Sequence, residues 1–186
     1  MSSYSTRSLL QCAAIAAAAA ILIVLASPLT TWLAVLSAPL YAAVGSFHMI
    51  GPMIALRWTR LPWAATLTAF LAALLAMSFS TLGLLLVPAL VLPALAIDAV
   101  VMLVRPRGRS AGLYLGALAG GVVIFLISFV VIPADVVGPG LVAVLLVVRL
   151  AAYAAVMRLA LWVAMGLERA GVRPASAVPP RRTEQP

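Results

Sequence analysis

The stretch VVRLAAYAAVMRLALW, residues 147–162, is apolar enough to lie in a bilayer, yet it carries two arginines, Arg149 and Arg158. The nearest acids in sequence, Asp135 and Glu168, fall outside it. An ionisable group at the bilayer centre costs ~2.5–3.5 kcal/mol on insertion scales, so such residues face the inside of a bundle, pair, or reach the interface. The two arginines stand nine residues apart. At ~100° per residue that puts them on roughly opposite faces of a helix. For a helix entering near Gly138, Arg149 lies ~16 Å deep, near the midplane, and Arg158 lies ~13 Å further on. Arg149 is too deep to snorkel and is expected to face a polar pocket or to pair with Asp98. Tyr153, one turn along on the same face, would line the same pocket. Arg158 is expected to pair with Asp98 or to snorkel to the headgroups.

The rest of the chain is built in the same way. Of its 186 residues, 66% are hydrophobic and 9% charged, where a soluble domain carries about a quarter charged residues. Too little polar surface remains to cover a water-soluble globule, so the class is an integral membrane protein. Six spans can be drawn, near residues 9–26, 32–56, 62–78, 82–104, 111–132 and 138–165. The reading is an all-α, six-transmembrane-helix bundle over residues 9–166. A short N-terminus, 1–8, precedes it, and a Pro- and Arg-rich tail, 167–186, expected to be disordered, follows. The first apolar run could imitate a signal peptide but is long enough to cross the membrane.

Charge placement tests this division. The twelve basic residues are all arginines. Arg7, Arg57, Arg60, Arg105, Arg107, Arg109 and the four from Arg169 onward fall in alternate connections, and the intervening connections hold none. The positive-inside rule then places both termini in the cytoplasm of a multi-pass plasma-membrane protein. The same rule explains the net charge of +8 without a nucleic-acid partner. Pro28 is expected at a span end, Pro88 and Pro93 inside the fourth span, and Trp32, Trp58, Trp63 and Trp162 as interface anchors.

The chemistry for catalysis is missing. One cysteine and one histidine exclude a disulfide and a Cys/His zinc site. There is no GxxxxGK[ST], HExxH or GxSxG, and four acids leave little for acid–base work. A non-enzymatic subunit with no cofactor and no metal is expected. His48, in GSFHMIGP, reads as a helix–helix hydrogen-bonder or as part of a binding site. In the first span, the run AAIAAAAA at 13–20 holds the small-xxx-small pairs Ala13/Ala17, Ala14/Ala18 and Ala16/Ala20, which let another helix approach closely.

Three stretches together resemble the S component, the substrate-binding membrane subunit, of energy-coupling factor (ECF) vitamin transporters, closest to the hydroxymethylpyrimidine (thiamine-precursor) type. GPMIALRWTRLPWAATLTAFLAALL looks like the end of that family's second helix, a short basic loop and a small-residue third helix. VPALVLPALAIDAVVMLVR looks like its fourth helix, with an acid late at Asp98. VVRLAAYAAVMRLALWVAMGLERAGV looks like its last helix. The resemblance implies a subunit that captures a vitamin or precursor from outside. It then joins a transmembrane coupling protein and two cytoplasmic ATPases, whose ATP hydrolysis topples it to open inward. It further implies a docking surface on the alanine face of the first helix, here Ala13, Ala14, Ala17 and Ala18. The substrate site would comprise Arg149, Tyr153, Asp98 and His48. Ala69, Ala73 and Ala76 stand where thiamine-type proteins tend to carry acids, so a neutral or anionic ligand fits as well as thiamine or its precursor. The alternative is a structural or accessory membrane subunit without a ligand of its own.

Overall fold

A computed structural model describes residues 5–104, 109–131 and 138–172. Among them every regular element is helical: α1 (Thr6–Leu36), α2 (Ala38–Gly45), α3 (Ile50–Thr59), α4 (Ala64–Ala76), α5 (Leu86–Val104), α6 (Arg109–Val131) and α7 (Pro139–Arg169). Five stretches are long and apolar enough to cross a membrane, with α2 and α3 counted as one; α4 is apolar but shorter. Large apolar side chains cover the outside: Trp32 is 71% exposed and Leu103 77%. Water would not tolerate such a surface, and lipid requires it.

The element boundaries correct several expectations. Pro28 does not end the first span, because α1 runs through it for 31 residues. A bilayer helix tolerates an internal proline where neighbouring groups adjust; the turn after it carries Thr30 and Thr31, whose hydroxyls bond back to the Ser27 carbonyl, each at 2.9 Å. Residues 32–36, assigned by sequence to the second span, therefore belong to α1. That second span is not one helix. It breaks into α2, a 3-10 turn at Ser46–Met49, and α3. Pro52 explains the break. Its ring and missing N–H fit most easily in the first turn of a helix, and here the chain tightens just before it and restarts so that Pro52 falls there. Pro88 likewise falls in the first turn of α5, which leaves Pro93 as the proline inside that helix. The last helix continues to Arg169, past the expected end of the bundle. The rest of the expected tail, 173–186, lies outside the described residues, as does the arginine loop 105–108.

Small residues hold the bundle together. On α4 the stripe Ala65, Ala69, Ala72, Ala73 and Ala76 is fully buried, and α4 packs against α1, α3 and α5. Only thirteen residues long, it spans ~20 Å. A Cβ added to Gly51 of α3 would stand 2.5 Å from Ala19 Cβ of α1. On α6, Gly116 and Gly120 form a GxxxG pair against α5: a Cβ on Gly120 would meet Ile97 Cγ1 at 2.8 Å and the Pro93 carbonyl at 3.1 Å. Absent side chains are what let these backbones close. One tryptophan departs from the expected anchor role: Trp58 is buried at 3% exposure. Trp162 is exposed and takes Arg158 over its ring at 5.6 Å.

Candidate functional site

Toward the end of the bundle away from Arg7, Arg57 and Arg169, the helices part around a cavity of about 390 Å³. Its walls come from α2 and the 3-10 turn after it, the start of α5, the second half of α6 and the first half of α7. The volume lies within the range of small-molecule sites, and so does the character of the lining: mostly apolar, with a few placed polar groups. Leu85, Leu86, Leu90, Ile124 and Phe125 supply apolar wall. Tyr41, His48, Ser128, Arg149 and Tyr153 supply the polar points.

Arg149 is held from two sides. Its Nη1 donates to the Ala42 carbonyl of α2 at 3.1 Å, and its Nη2 donates to Ser128 Oγ of α6 at 3.3 Å. Ser128 in turn donates to the Ile124 carbonyl at 2.8 Å, which fixes its oxygen as an acceptor for the guanidinium. Gly45 lies beside the fork, where an added Cβ would stand in ordinary contact with Nη1 at 3.8 Å. Arg149 is 7% exposed and Tyr153 1%. Tyr153 sits against Gly121 of α6, where an added Cβ would come within 3.4 Å of its ring. His48 stands on the 3-10 turn, and its Nε2 is buried with no hydrogen-bond partner among the described residues. The break that Pro52 imposes therefore presents His48 to the cavity.

The structure thus brings Arg149, Tyr153 and His48 to one cavity. Asp98, grouped with them by sequence, is not among the lining residues. Its carboxylate accepts from the Thr66 N–H at 2.8 Å, the Thr66 hydroxyl at 2.7 Å and the Ala65 N–H at 3.4 Å. It caps the first turn of α4, where unpaired N–H groups and the positive end of the helix dipole favour an anion. Arg158 is exposed on the outer face of α7 and stacks on Trp162. Arg149 finds neutral partners. So neither arginine shows the expected pairing with Asp98. Sequence reading missed Tyr41 and Ser128, although each is a polar residue in an otherwise apolar span, and that is the signal that could have found them.

The alanine run of α1 divides between two faces. Ala16, Ala19 and Ala20 are buried against the bundle, whereas Ala13, Ala14, Ala17 and Ala18 are exposed. Further along the same outer face the residues become bulky: Ile21, Leu22, Leu25 and Leu29 are all more than half exposed. The outer surface of α1 is therefore shallow over two turns and filled beyond them.

Among solved structures the chain is similar to a protein described as an S-component of an ECF transporter. The two are 24% identical, with a TM-score of 0.84, and the match covers 91% of this chain and 88% of that one. No protein-family model matches the chain, and no curated protein matches it. At that identity the likeness is one of architecture: this chain has the fold of an ECF-transporter S-component.

Proposed function

We propose that this chain is the substrate-capturing S component of an ECF-type importer in the plasma membrane, serving a small vitamin-like nutrient. The observation that supports it most is a cavity walled by four helical segments and holding a buried guanidinium, within that fold. Arg149, Tyr153 and His48 contact the substrate in this reading, and Asp98 holds α4 in place behind them. The chain carries no chemistry of its own. A transmembrane coupling protein and two ATPases supply the energy, and the shallow alanine face at Ala13, Ala14, Ala17 and Ala18 is where the coupling protein docks. The ends of α3 and α7 lie together, linked by Arg57 and Glu168 at 3.8 Å. This supports placing the arginine-bearing end, with both termini, in the cytoplasm and the cavity toward the outside. Thiamine or its hydroxymethylpyrimidine precursor is the substrate suggested by the sequence resemblance.

Co-purification of the full chain from its native membrane, with mass spectrometry of bound proteins and small molecules, tests the reading. A coupling protein, two ATPases and a vitamin-sized molecule are expected together. Ala14→Leu and Ala18→Leu should deplete the partner proteins and leave the small molecule bound. Recovery of the chain with neither partners nor small molecule would instead make it an accessory membrane subunit.

A further inference from the structure

Among the described residues the cavity's charge is unbalanced: its lining contains one guanidinium and no carboxylate. Arg149 makes its two hydrogen bonds to neutral acceptors, a carbonyl and a hydroxyl. A guanidinium carries five N–H donors in a planar fork, so most of its bonding capacity is unused among the described residues. Of the two described acids, Asp98 caps α4 and Glu168 pairs with Arg57 at the far end of α7. A buried cation with only neutral partners is poorly compensated in a low-dielectric interior. A second unsatisfied group, Nε2 of His48, stands on the same wall. Both groups would be completed by one ligand that brings an anionic acceptor to the fork and a second polar atom to the imidazole.

We infer that the cavity selects small organic anions: a compact apolar body bearing a carboxylate-type group that docks on Arg149, with a further polar atom bonded by His48. This rests on the substrate-binding reading above and narrows it by charge. A carboxylate can engage the fork through two parallel charge-assisted bonds. An amide offers one neutral oxygen. A cation such as thiamine meets a like charge beside a largely buried guanidinium, where screening is weaker than in bulk water.

The test uses one ring in three charge states. Nicotinate, nicotinamide and 1-methylnicotinamide are titrated into the purified full chain by thermal shift, next to the molecule recovered from native membrane. The expected result is that the recovered molecule is anionic at neutral pH. Nicotinate should bind at least about tenfold more tightly than nicotinamide, with the cation weakest, and Arg149→Gln should erase that order. A neutral or cationic recovered molecule, or an amide or cation that binds as well as the carboxylate, overturns the inference and leaves the substrate-binding reading standing. A preference for the carboxylate that survives Arg149→Gln also overturns it. If no small molecule is recovered and no probe shifts the unfolding temperature, the substrate-binding reading falls and the inference falls with it. The comparison among the three probes is made on the unsubstituted chain, so it decides the matter even where the variant does not fold.

Discussion

At the arginine-bearing end, α1, α3, α4 and α5 meet through alanine and glycine, and the buried carboxylate of Asp98 accepts three hydrogen bonds from the start of α4. Toward the other end, α2, α5, α6 and α7 separate around about 390 Å³ of space. There, among the described residues, a buried guanidinium has two neutral partners and an imidazole nitrogen has none. Both regions hide a charge from solvent. In the first, the charge is answered by the protein and fixes one helix against another. In the second it is left partly unanswered among the described residues, and the helices stand apart around it. A bundle that needed only stability would have no reason to keep the second arrangement. Polar groups left short of partners inside a cavity are what a ligand completes.

If this contrast is right, substitutions in the two regions must behave differently. The largest loss of stability is expected from Asp98→Ala. It removes a charged acceptor from two backbone N–H groups and a hydroxyl, a loss of about 3 kcal/mol. Thermal unfolding in detergent would show it as a marked fall in midpoint, with Asp98→Asn intermediate. An unchanged midpoint would mean that the α4 cap does not hold the tight end together. Next comes Gly51→Leu, which forces a side chain into the Ala19 contact at the α1–α3 crossing. Overpacking of this kind costs about 1–3 kcal/mol, and Gly51→Ala should cost less. Equal behaviour of Gly51→Leu and Gly140→Leu would show that the crossing is not close, because nothing lies within 4 Å of a Cβ at Gly140.

What was legible in the sequence follows the range of the interactions. The all-helical membrane class, the rough place of the later spans and the opposition of Arg149 to Arg158 depend on composition and on local periodicity, and the structure shows them; the boundary between the first two spans it moves. Arg149 is placed in a pocket by its depth and Tyr153 by its position one turn along the same face, whereas His48 is joined to them, together with Asp98, only through the family resemblance. The partner of Asp98 was not legible. It lies 32 residues earlier, on a helix start whose position depends on how α3 and α4 turn around Arg60 and Trp63, both in the left-handed region. The break at His48 was signalled by Gly51–Pro52, but only a structure shows that Pro52 falls in a first turn rather than mid-helix. The glycine pair of GALAG, residues 116–120, was visible as a motif. Abundant alanine hid it, because small-xxx-small spacing recurs throughout this chain.

The contrast is sharpened by Arg149→Met. In the absence of ligand the substitution removes an under-compensated buried cation and substitutes a flexible apolar side chain, so stability should hold or rise by about 1 kcal/mol. Binding of the recovered ligand should be lost in the same variant. That opposition between stability and function is expected where a site keeps a group for its ligand and not for its fold. A fall in midpoint comparable with that of Asp98→Ala would reverse the conclusion and make Arg149 a structural residue like Asp98.

The smallest effect, and the finest check, is at Thr68. It lies fully buried on α4 in the tight region, and its hydroxyl is without a hydrogen-bond partner there among the described residues. Beside it lies the Cys12 thiol, a weak donor and a weak acceptor. Thr68→Val keeps the shape and removes a polar atom that gains little, so stability should change by less than about 1 kcal/mol, in the stabilising direction. Thr66→Val, two residues away, removes a hydroxyl bonded to Asp98 at 2.7 Å and should destabilise by about 1 kcal/mol. The two changes are chemically identical and both fall on the first two turns of α4. A difference in sign between them would show that the tight end is stabilised by the bonds gathered on Asp98, and that polarity inside the bundle contributes only where it is answered.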